Sequence, residues 1–293
     1  MTSDNTPIVV WIRKDLRLTD NPALAWASSQ KRPVIIVFIV DPDDKDWQLG
    51  GASKWWLHHS LTQFSHALEK AGSNVRLFTD KPEVALRRII DESDAGTLVW
   101  NRRYEPANIA LDKKLKKQFT DNGVNVTSFH GNLCQEPWQV QRNNAHPYRV
   151  FSAYWRASLK VESIALVKTV RNIKHFTGSI SGEVTIEQLS LLPTLPWANE
   201  FAKHWQPGEA GAQKNLKTLI KSNLANYQTA RDLPAVEGTS RLSPHLAFGE
   251  ISPRTMNAAI RKALIAGKIT DEICPTSIHS SHSTHSPKSQ KSF

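Results

Sequence analysis

The stretch Val34-Ile35-Ile36-Val37-Phe38-Ile39-Val40 decides the fold, because every one of its residues is apolar. A short run without polar positions is typical of a strand that is buried on both faces of a parallel sheet. Similar short runs rich in Val, Ile or aromatic residues lie at 8–12, 74–78, 97–100 and 124–129. Segments with helical periodicity separate these runs, such as 53–71, which ends at Gly72. We therefore predict an α/β domain over residues 1–132 with a doubly wound, five-stranded parallel sheet.

The second part of the chain loses this alternation. Residues 133–199 contain turn clusters and prolines, and we predict that they form an interdomain linker. Residues 200–267 regain helical periodicity, with predicted helices at 210–227 and 252–266, and we expect them to begin an all-helical domain. Residues 268–293 are rich in Ser and His and almost without apolar side chains, which predicts a disordered tail.

The composition excludes several classes of protein. The chain has 293 residues and a formal net charge of +10, which favours polyanionic partners. No apolar run approaches the roughly 20 residues that span a bilayer, and no secretory signal is recognisable, so we expect no membrane association and a cytoplasmic location. The two cysteines, Cys134 and Cys274, have no neighbours at metal-ligand spacing, and we expect neither a disulfide framework nor a metal site.

Charged loops follow three of the predicted strands, at 13–17, 41–44 and 101–105. In a parallel sheet these loops meet at the carboxyl edge, where ligands bind at the point at which the strand order reverses. Neither a Gly-x-Gly-x-x-Gly fingerprint nor a Walker loop follows the first strand. The loops therefore form either a ligand site of another type or a solvated sheet edge.

The run Gly238-Thr239-Ser240-Arg241-Leu242-Ser243-Pro244 carries the clearest chemistry in the chain. It places hydroxyls, a guanidinium and backbone donors at the start of a predicted helix, where an anion such as phosphate is favoured. Ser243-Pro244 and Ser252-Pro253 both resemble an N-cap followed by proline at the first helical position. These spacings fit a phosphate site, and they also fit two capped helices beside a surface arginine.

Three separated segments resemble the photolyase and cryptochrome family, in the order in which the family has them. Residues 232–254, which contain the run quoted above, resemble the flavin-binding signature of the family. Residues 10–24 (VWIRKDLRLTDNPAL) are similar to its first strand and loop, and residues 147–156 (PYRVFSAYWR) to the start of its linker. The resemblance extends from about residue 8 to residue 267.

The resemblance implies an α/β domain that can hold an antenna chromophore, followed by a helical domain that holds FAD. The positions that match FAD contacts, largely around the phosphates, are Tyr227, Thr239, Ser240, Arg241, Leu242 and Ser243. Arg231 matches a position that contacts DNA. The motif is closer to class I bacterial enzymes than to dedicated photosensors. In these enzymes reduced FAD passes an electron to a flipped-out cyclobutane pyrimidine dimer, so the implied partner is damaged DNA. No side chain of this chain is assigned a catalytic role.

The resemblance ends early in the helical domain. Trp205 is the last tryptophan of the chain, and the family's flavin-reducing tryptophans, flavin-ring contacts and dimer-pocket residues belong beyond residue 267. We therefore expect a C-terminally truncated flavin domain that is inactive in repair as it stands. The apolar face of its last helix, 252–266, is expected to lack partner helices. A frameshift, an early termination and a natural fragment are the alternative origins of the 268–293 tail.

The antenna and the overall function each leave alternatives. Residues 101–108 lie where folate-binding members contact methenyltetrahydrofolate, but Ala107 and Asn108 replace the expected Asn-Glu pair. A folate, a deazaflavin, a second flavin and no antenna all remain alternatives. Light-dependent repair by a monomeric enzyme competes with two other functions. These are a cryptochrome-type blue-light photosensor and a non-catalytic α/β fragment that binds a chromophore or DNA.

Overall fold

The core of the protein is a six-stranded sheet. The computed structural model describes residues 5–42, 48–142, 146–161 and 164–267. The strands are β1 (Ile8–Ile12), β2 (Val34–Val40), β3 (Val75–Thr79), β4 (Thr97–Asn101), β5 (Asn125–Phe129) and β6 (Glu183–Val184). Their order in the sheet is β5-β4-β1-β2-β3-β6. The first five strands are parallel, which confirms the predicted parallel sheet, and the order reverses between β1 and β4.

Helices cover both faces of this sheet. The connections between successive parallel strands are α1 (Pro22–Ser29), α2 (Gly51–Lys70), α3 (Pro82–Ser93) and α4 (Pro106–Asp121). Side chains of β1 alternate between the two faces, as the two-residue period of a strand requires. Ile8, Val10 and Ile12 belong to the core formed with α1 and α2, whereas Val9 and Trp11 belong to the core formed with α3 and α4. The doubly wound architecture is therefore confirmed.

The sixth strand comes from the predicted linker. Glu183–Val184 pairs antiparallel with β3, so the prediction of a five-stranded sheet missed one edge strand. Arg76 on β3 fixes this segment, because its guanidinium lies 2.6 Å from Glu183 Oε1 and donates to the carbonyls of Phe176 and Gly178. A strand of two residues is too short to show a hydrophobic period. The linker also contains a helix, α5 (Phe151–Ser158).

The helical segment consists of short elements. They are α6 (Phe201–His204), α7 (Glu209–Thr218), α8 (Tyr227–Ala230), α9 (Ser243–Ala247) and α10 (Pro253–Ile265). The predicted helix 210–227 is divided in the structure. α7 passes into a π-helical turn at Leu219–Asn223, and the helix then ends before α8 begins at Tyr227. Among the helices of the described ranges, none combines the length and apolar character needed to cross a membrane.

The apolar face of α10 is covered in part, contrary to the sequence prediction. Met256, Ile260 and Leu264 are half-buried against a small core, of which Leu216 and Leu219 are members. α7 and the turn after it therefore provide the partner that we expected to be absent.

Three further predictions lie outside the described residues: the disordered tail 268–293, Cys274 within it, and the loop positions Asp43 and Asp44.

Backbone contacts join the helical segment to the carboxyl edge of the sheet. The amide of Leu16, which follows β1, donates to Phe248 O over 3.4 Å. Glu209 at the start of α7 accepts from the amides of Leu18 and Thr19, at 2.7 and 3.1 Å. The predicted domain limits at 132, 199 and 267 stay predictions, but the two parts share this interface.

Gly249 packs against the backbone of Lys14 across this interface, and this contact generates a stability prediction. A Cβ there would lie 1.9 Å from Lys14 O, and the φ of Gly249 is +69°. We expect Gly249→Ala to lower the free energy of unfolding by about 3 kcal/mol, from left-handed strain and steric overlap together.

Gly123→Ala is the matched control in urea denaturation. Gly123 has a φ of +82°, and no described atom lies within 4 Å of its Cβ position. It should cost only the strain of about 1 kcal/mol. Equal losses in the two variants would contradict the close approach of the helical segment.

Candidate functional site

A buried polar network fills the point at which the strand order reverses. Asn101 at the end of β4 donates to Asp15 Oδ2 at 2.6 Å and to Asn21 Oδ1 at 2.7 Å. Its own Oδ1 accepts from the amide of Ala23, and Asn21 donates to the carbonyls of Asp15 and Arg17. The loops after β1 and β4 therefore meet at the carboxyl edge, as predicted. Their central residues, however, are buried and hydrogen-bonded to one another, so this part of the edge is neither solvated nor open to a ligand.

An ion cluster beside this network ties the helical segment to the sheet. Asp20 is fully buried, and its carboxylate accepts from Arg254 Nη2 at 2.7 Å, from Arg254 Nε at 3.0 Å and from the hydroxyl of Ser252. Arg17 donates to the carbonyls of Asp20, Gly131 and Gly249. Burial lowers the pKa of Arg17, and the carboxylates of Asp15 and Asp20 oppose this shift.

The predicted phosphate-binding run forms a tight turn on the surface of the helical segment. Thr239 and Ser243 are exposed, Ser240 and Arg241 are half-buried, and Leu242 is fully buried in the helical core. Arg241 has a φ of +51°, a left-handed conformation that is uncommon for a residue with a side chain. The Ser240 hydroxyl accepts from the amide of Leu242, which closes the turn.

The Arg241 side chain has three neighbours, one of which is the carboxylate of Glu237, 3.9 Å from the guanidinium. Its guanidinium donates to His204 O at 3.0 Å and lies 4.4 Å from the centroid of the Trp205 ring. A guanidinium has five N–H donors, so most of them stay available to a phosphate group. The turn thus presents a cation and two exposed hydroxyls, those of Thr239 and Ser243, within five residues of chain.

Four side chains support the turn from the interior, of which Asn215 is half-buried and His245, Glu250 and Trp56 are buried. Asn215 on α7 donates from its amide nitrogen to Arg241 O at 3.2 Å, and the same nitrogen lies 3.2 Å from His245 Nε2. His245 Nδ1 makes a very short contact with Glu250 Oε2. The other oxygen of Glu250 accepts from Trp56 Nε1 at 3.0 Å and from the amide of Gly208 at 2.7 Å. None of these supporting side chains was among the sequence candidates.

The remaining predicted residues lie near the turn without completing a pocket. Tyr227 starts α8 and is half-buried against the helical core. Arg231 is exposed, with its guanidinium 5.9 Å from the Tyr227 ring centroid. Ser252 is an N-cap as predicted, because its hydroxyl accepts from the amide of Thr255 at 3.0 Å. The prediction that Ser243 is an N-cap is wrong: Leu242 has helical dihedrals and occupies the cap position.

A second polar cluster lies at the carboxyl ends of β4 and β5. Glu136 is buried and contacts Arg102 Nη1 at 2.5 Å, the Tyr104 hydroxyl at 3.0 Å and His130 Nδ1 at 3.0 Å. Burial raises the pKa of Tyr104 and lowers that of His130, and the Glu136 carboxylate adds to the first shift and opposes the second. Sequence reasoning missed Glu136 and His130, which carry no local motif.

The fold and the candidate site together indicate a class of protein. A doubly wound α/β domain carries at its carboxyl edge a helical segment with a hydroxyl- and guanidinium-bearing turn. The family model described as DNA photolyase matches residues 8–171, which is more than half of the chain. The chain belongs to the DNA photolyase family.

Individual relatives agree with this assignment. The deoxyribodipyrimidine photo-lyase of Agrobacterium fabrum is 44% identical over 255 residues, which cover 86% of this chain and 53% of that protein. Cryptochrome-2 of Arabidopsis thaliana is 33% identical over 254 residues, which cover 84% of this chain and 41% of that protein. A solved structure described as a bacterial class III photolyase from Agrobacterium tumefaciens has a TM-score of 0.85 and 41% identity. That match covers 92% of this chain and 55% of the solved chain.

The predicted resemblance to the photolyase and cryptochrome family is therefore confirmed. The description of the solved structure names class III, a different class from the class I enzymes with which we compare the sequence motif. The chain spans about half the length of the curated relatives that it matches.

The buried pair of Asp20 and Arg254 generates a second stability prediction. The side chain of Arg254 is 2% exposed and that of Asp20 is 0% exposed. Arg254→Met leaves the Asp20 carboxylate buried without its cation, and we expect it to cost about 3–5 kcal/mol in the free energy of unfolding.

Lys117→Met is the matched control, measured by urea denaturation in the same buffer. Lys117 also pairs with a carboxylate, Asp121, but its side chain is 80% exposed. We expect no measurable change, because exposed pairs contribute little to stability. A small loss in Arg254→Met would mean that the pair does not fasten α10 to the sheet.

Proposed function

We propose that this protein serves light-dependent repair of cyclobutane pyrimidine dimers in DNA, by electron transfer from reduced FAD. This is a carbon-carbon lyase activity. The observation that carries the proposal is the turn at residues 239–243, where a left-handed Arg241 and two exposed hydroxyls form one surface. Because the chain spans about half of its curated relatives, their whole activity is attributed to it here as a proposal.

The groups in the turn fit the pyrophosphate of FAD. Hydroxyls and guanidinium N–H groups are donors, and a guanidinium binds phosphate through two parallel hydrogen bonds. Arg241 would bind a phosphate, with Thr239, Ser240 and Ser243 donating from either side of it. Leu242 is fully buried and anchors the backbone between them. Tyr227 would border the same cofactor.

Bound FAD would supply a photoexcited electron donor. The residues of the turn would bind FAD by its phosphates and fix the position of these phosphates relative to the α/β domain. Arg231 is exposed beside the proposed cofactor edge and would bind a DNA phosphate. The formal net charge of +10 supports this role, because cationic surface gains affinity by releasing counterions from DNA.

The proposal places any antenna chromophore on the α/β domain. Folate, a deazaflavin, a second flavin and no antenna are the alternatives. In the segment that the resemblance links to folate, Ala107 is exposed and Asn108 half-buried at the start of α4. The proposal also holds that the protein is a monomer and that it acts in the cytoplasm.

A photosensor of the cryptochrome type is the second candidate function. The observation that favours it is the 33% identity to Cryptochrome-2 of Arabidopsis thaliana over most of this chain. Such a protein would bind the same flavin but respond to light without repairing DNA. A non-catalytic fragment that binds a chromophore or DNA through the α/β domain is the third alternative.

The test of FAD binding uses the purified protein, incubated with excess FAD and then desalted. We expect a retained flavin absorption band. Arg241→Met should weaken FAD binding by roughly 10- to 100-fold, because a charge-assisted hydrogen bond contributes about 1.5–3 kcal/mol. Lys221→Met, which removes an exposed positive charge from the neighbouring π-helical turn, is the control and should bind FAD as the wild type does.

The same preparations are then given DNA that contains cyclobutane dimers, under blue light and in the dark. Light-dependent loss of dimers supports repair. Retained flavin without repair favours the photosensor. A colourless protein that binds DNA in a salt-sensitive manner overturns the FAD proposal and favours the non-catalytic fragment.

A further inference from the structure

We infer that Asn215 and His245 are positioning residues for the FAD-phosphate turn, because together they hold Arg241 in its left-handed conformation. This inference rests on the proposed function, since the turn is proposed to bind the phosphates of FAD. It adds residues that the sequence motif does not assign to the site, one of which lies outside the 232–254 motif altogether.

The conformation of Arg241 needs a compensating contact. Its φ of +51° costs a residue with a side chain roughly 1–2 kcal/mol relative to the ordinary helical region. The backbone carbonyl of Arg241 accepts a hydrogen bond from Asn215 Nδ2 at 3.2 Å. Losing this bond would leave a half-buried carbonyl without its donor and free the turn to relax.

The position of Asn215 determines how its amide is oriented. Its nitrogen faces both Arg241 O and His245 Nε2, each at 3.2 Å. The opposite orientation would place the amide oxygen against the carbonyl oxygen of Arg241, which repels it. Because an amide nitrogen carries two N–H groups, one can donate to the carbonyl and the other to His245. His245 Nε2 must then be the acceptor and carry no proton.

The other side of His245 is consistent with this assignment. Its Nδ1 contacts Glu250 Oε2, and a carboxylate oxygen requires a donor there. His245 is therefore the neutral imidazole with its proton on Nδ1. Both His245 and Glu250 are fully buried, and Glu250 is held in turn by Trp56 Nε1 on α2. Every donor in this chain of bonds meets an acceptor, from α2 of the α/β domain to the turn.

The consequence is a turn that is rigid before any ligand arrives. A site that is already ordered loses less conformational entropy on binding, which raises affinity without an added contact. Asn215 and His245 would thus act on FAD affinity through Arg241 rather than by touching the cofactor.

The first experiment measures FAD affinity in neutral variants, so that no charge is added near the phosphates. Asn215→Leu keeps the approximate size of the side chain and removes both donors, and we expect FAD to bind about 10-fold more weakly, corresponding to about 1.4 kcal/mol. Asn122→Leu is the control. It removes the same kind of bond, from Asn122 Nδ2 to Gln118 O, on the surface of α4, and should bind FAD normally.

A rescue comparison separates positioning from general stability. His245→Gln retains an oxygen that can accept from Asn215, whereas His245→Leu does not, and both lose the contact with Glu250. We expect the Gln variant to bind FAD more tightly than the Leu variant when circular dichroism shows equal folded fractions. Equal FAD affinities in these two folded variants would overturn the inference.

The tautomer gives a readout that needs no variant to fold. In protein labelled with 15N-histidine, the His245 signal should show a protonated Nδ1 and an unprotonated Nε2. A proton on Nε2 would overturn the inference.

If the wild-type protein does not bind FAD, the proposed function fails and the inference fails with it. If the wild type binds FAD and folded Asn215→Leu binds it equally well, only the inference is overturned.

Discussion

The rest of the structure depends on the buried carboxylate of Asp20. A buried carboxylate is costly unless a cation and further donors satisfy it, and here Arg254 and Ser252 do so from the helical segment. Asp20 has a φ of +53°, and its backbone carbonyl accepts from Arg17. One residue therefore holds α10 by its side chain and helps to orient, by its backbone, the arginine that reaches Gly249. The segment that contains the proposed phosphate turn is fixed relative to the sheet for this reason.

The five parallel strands and α2 follow closely from the sequence. Each of the five predicted strands lies within one residue of its observed bounds, because continuous apolar runs leave few alternatives. The division of the predicted helix 210–227 could not be foreseen. Its apolar positions keep a helical period through the π-helical turn, and the core in which they pack includes Leu242 and Ile251, which come later in the chain.

The candidate site likewise contains some residues that the sequence predicts and others that only the structure reveals. The residues at 239–243 form one continuous motif, so a local reading finds them. Their supports are distant: Arg241 is 26 residues from Asn215, and Asp20 is 234 residues from Arg254. Buried polar networks have no period along the sequence, and their partners are chosen by the geometry that the fold creates. Only the structure could reveal that Asn101, Glu136 and His245 are interior residues rather than surface ones.

The short strand β6 has a consequence for the order in which the protein assembles. During synthesis β5 can join β4 once residue 129 has left the ribosome, but the free edge of β3 stays unpaired until residues 183–184 have also left it. An uncovered strand edge is a template for pairing with other chains. The nascent protein therefore passes through an interval in which the edge of β3 is open. This interval ends when residues 183–184 pair with β3, and the bond from Arg76 to Glu183 stabilises that pairing.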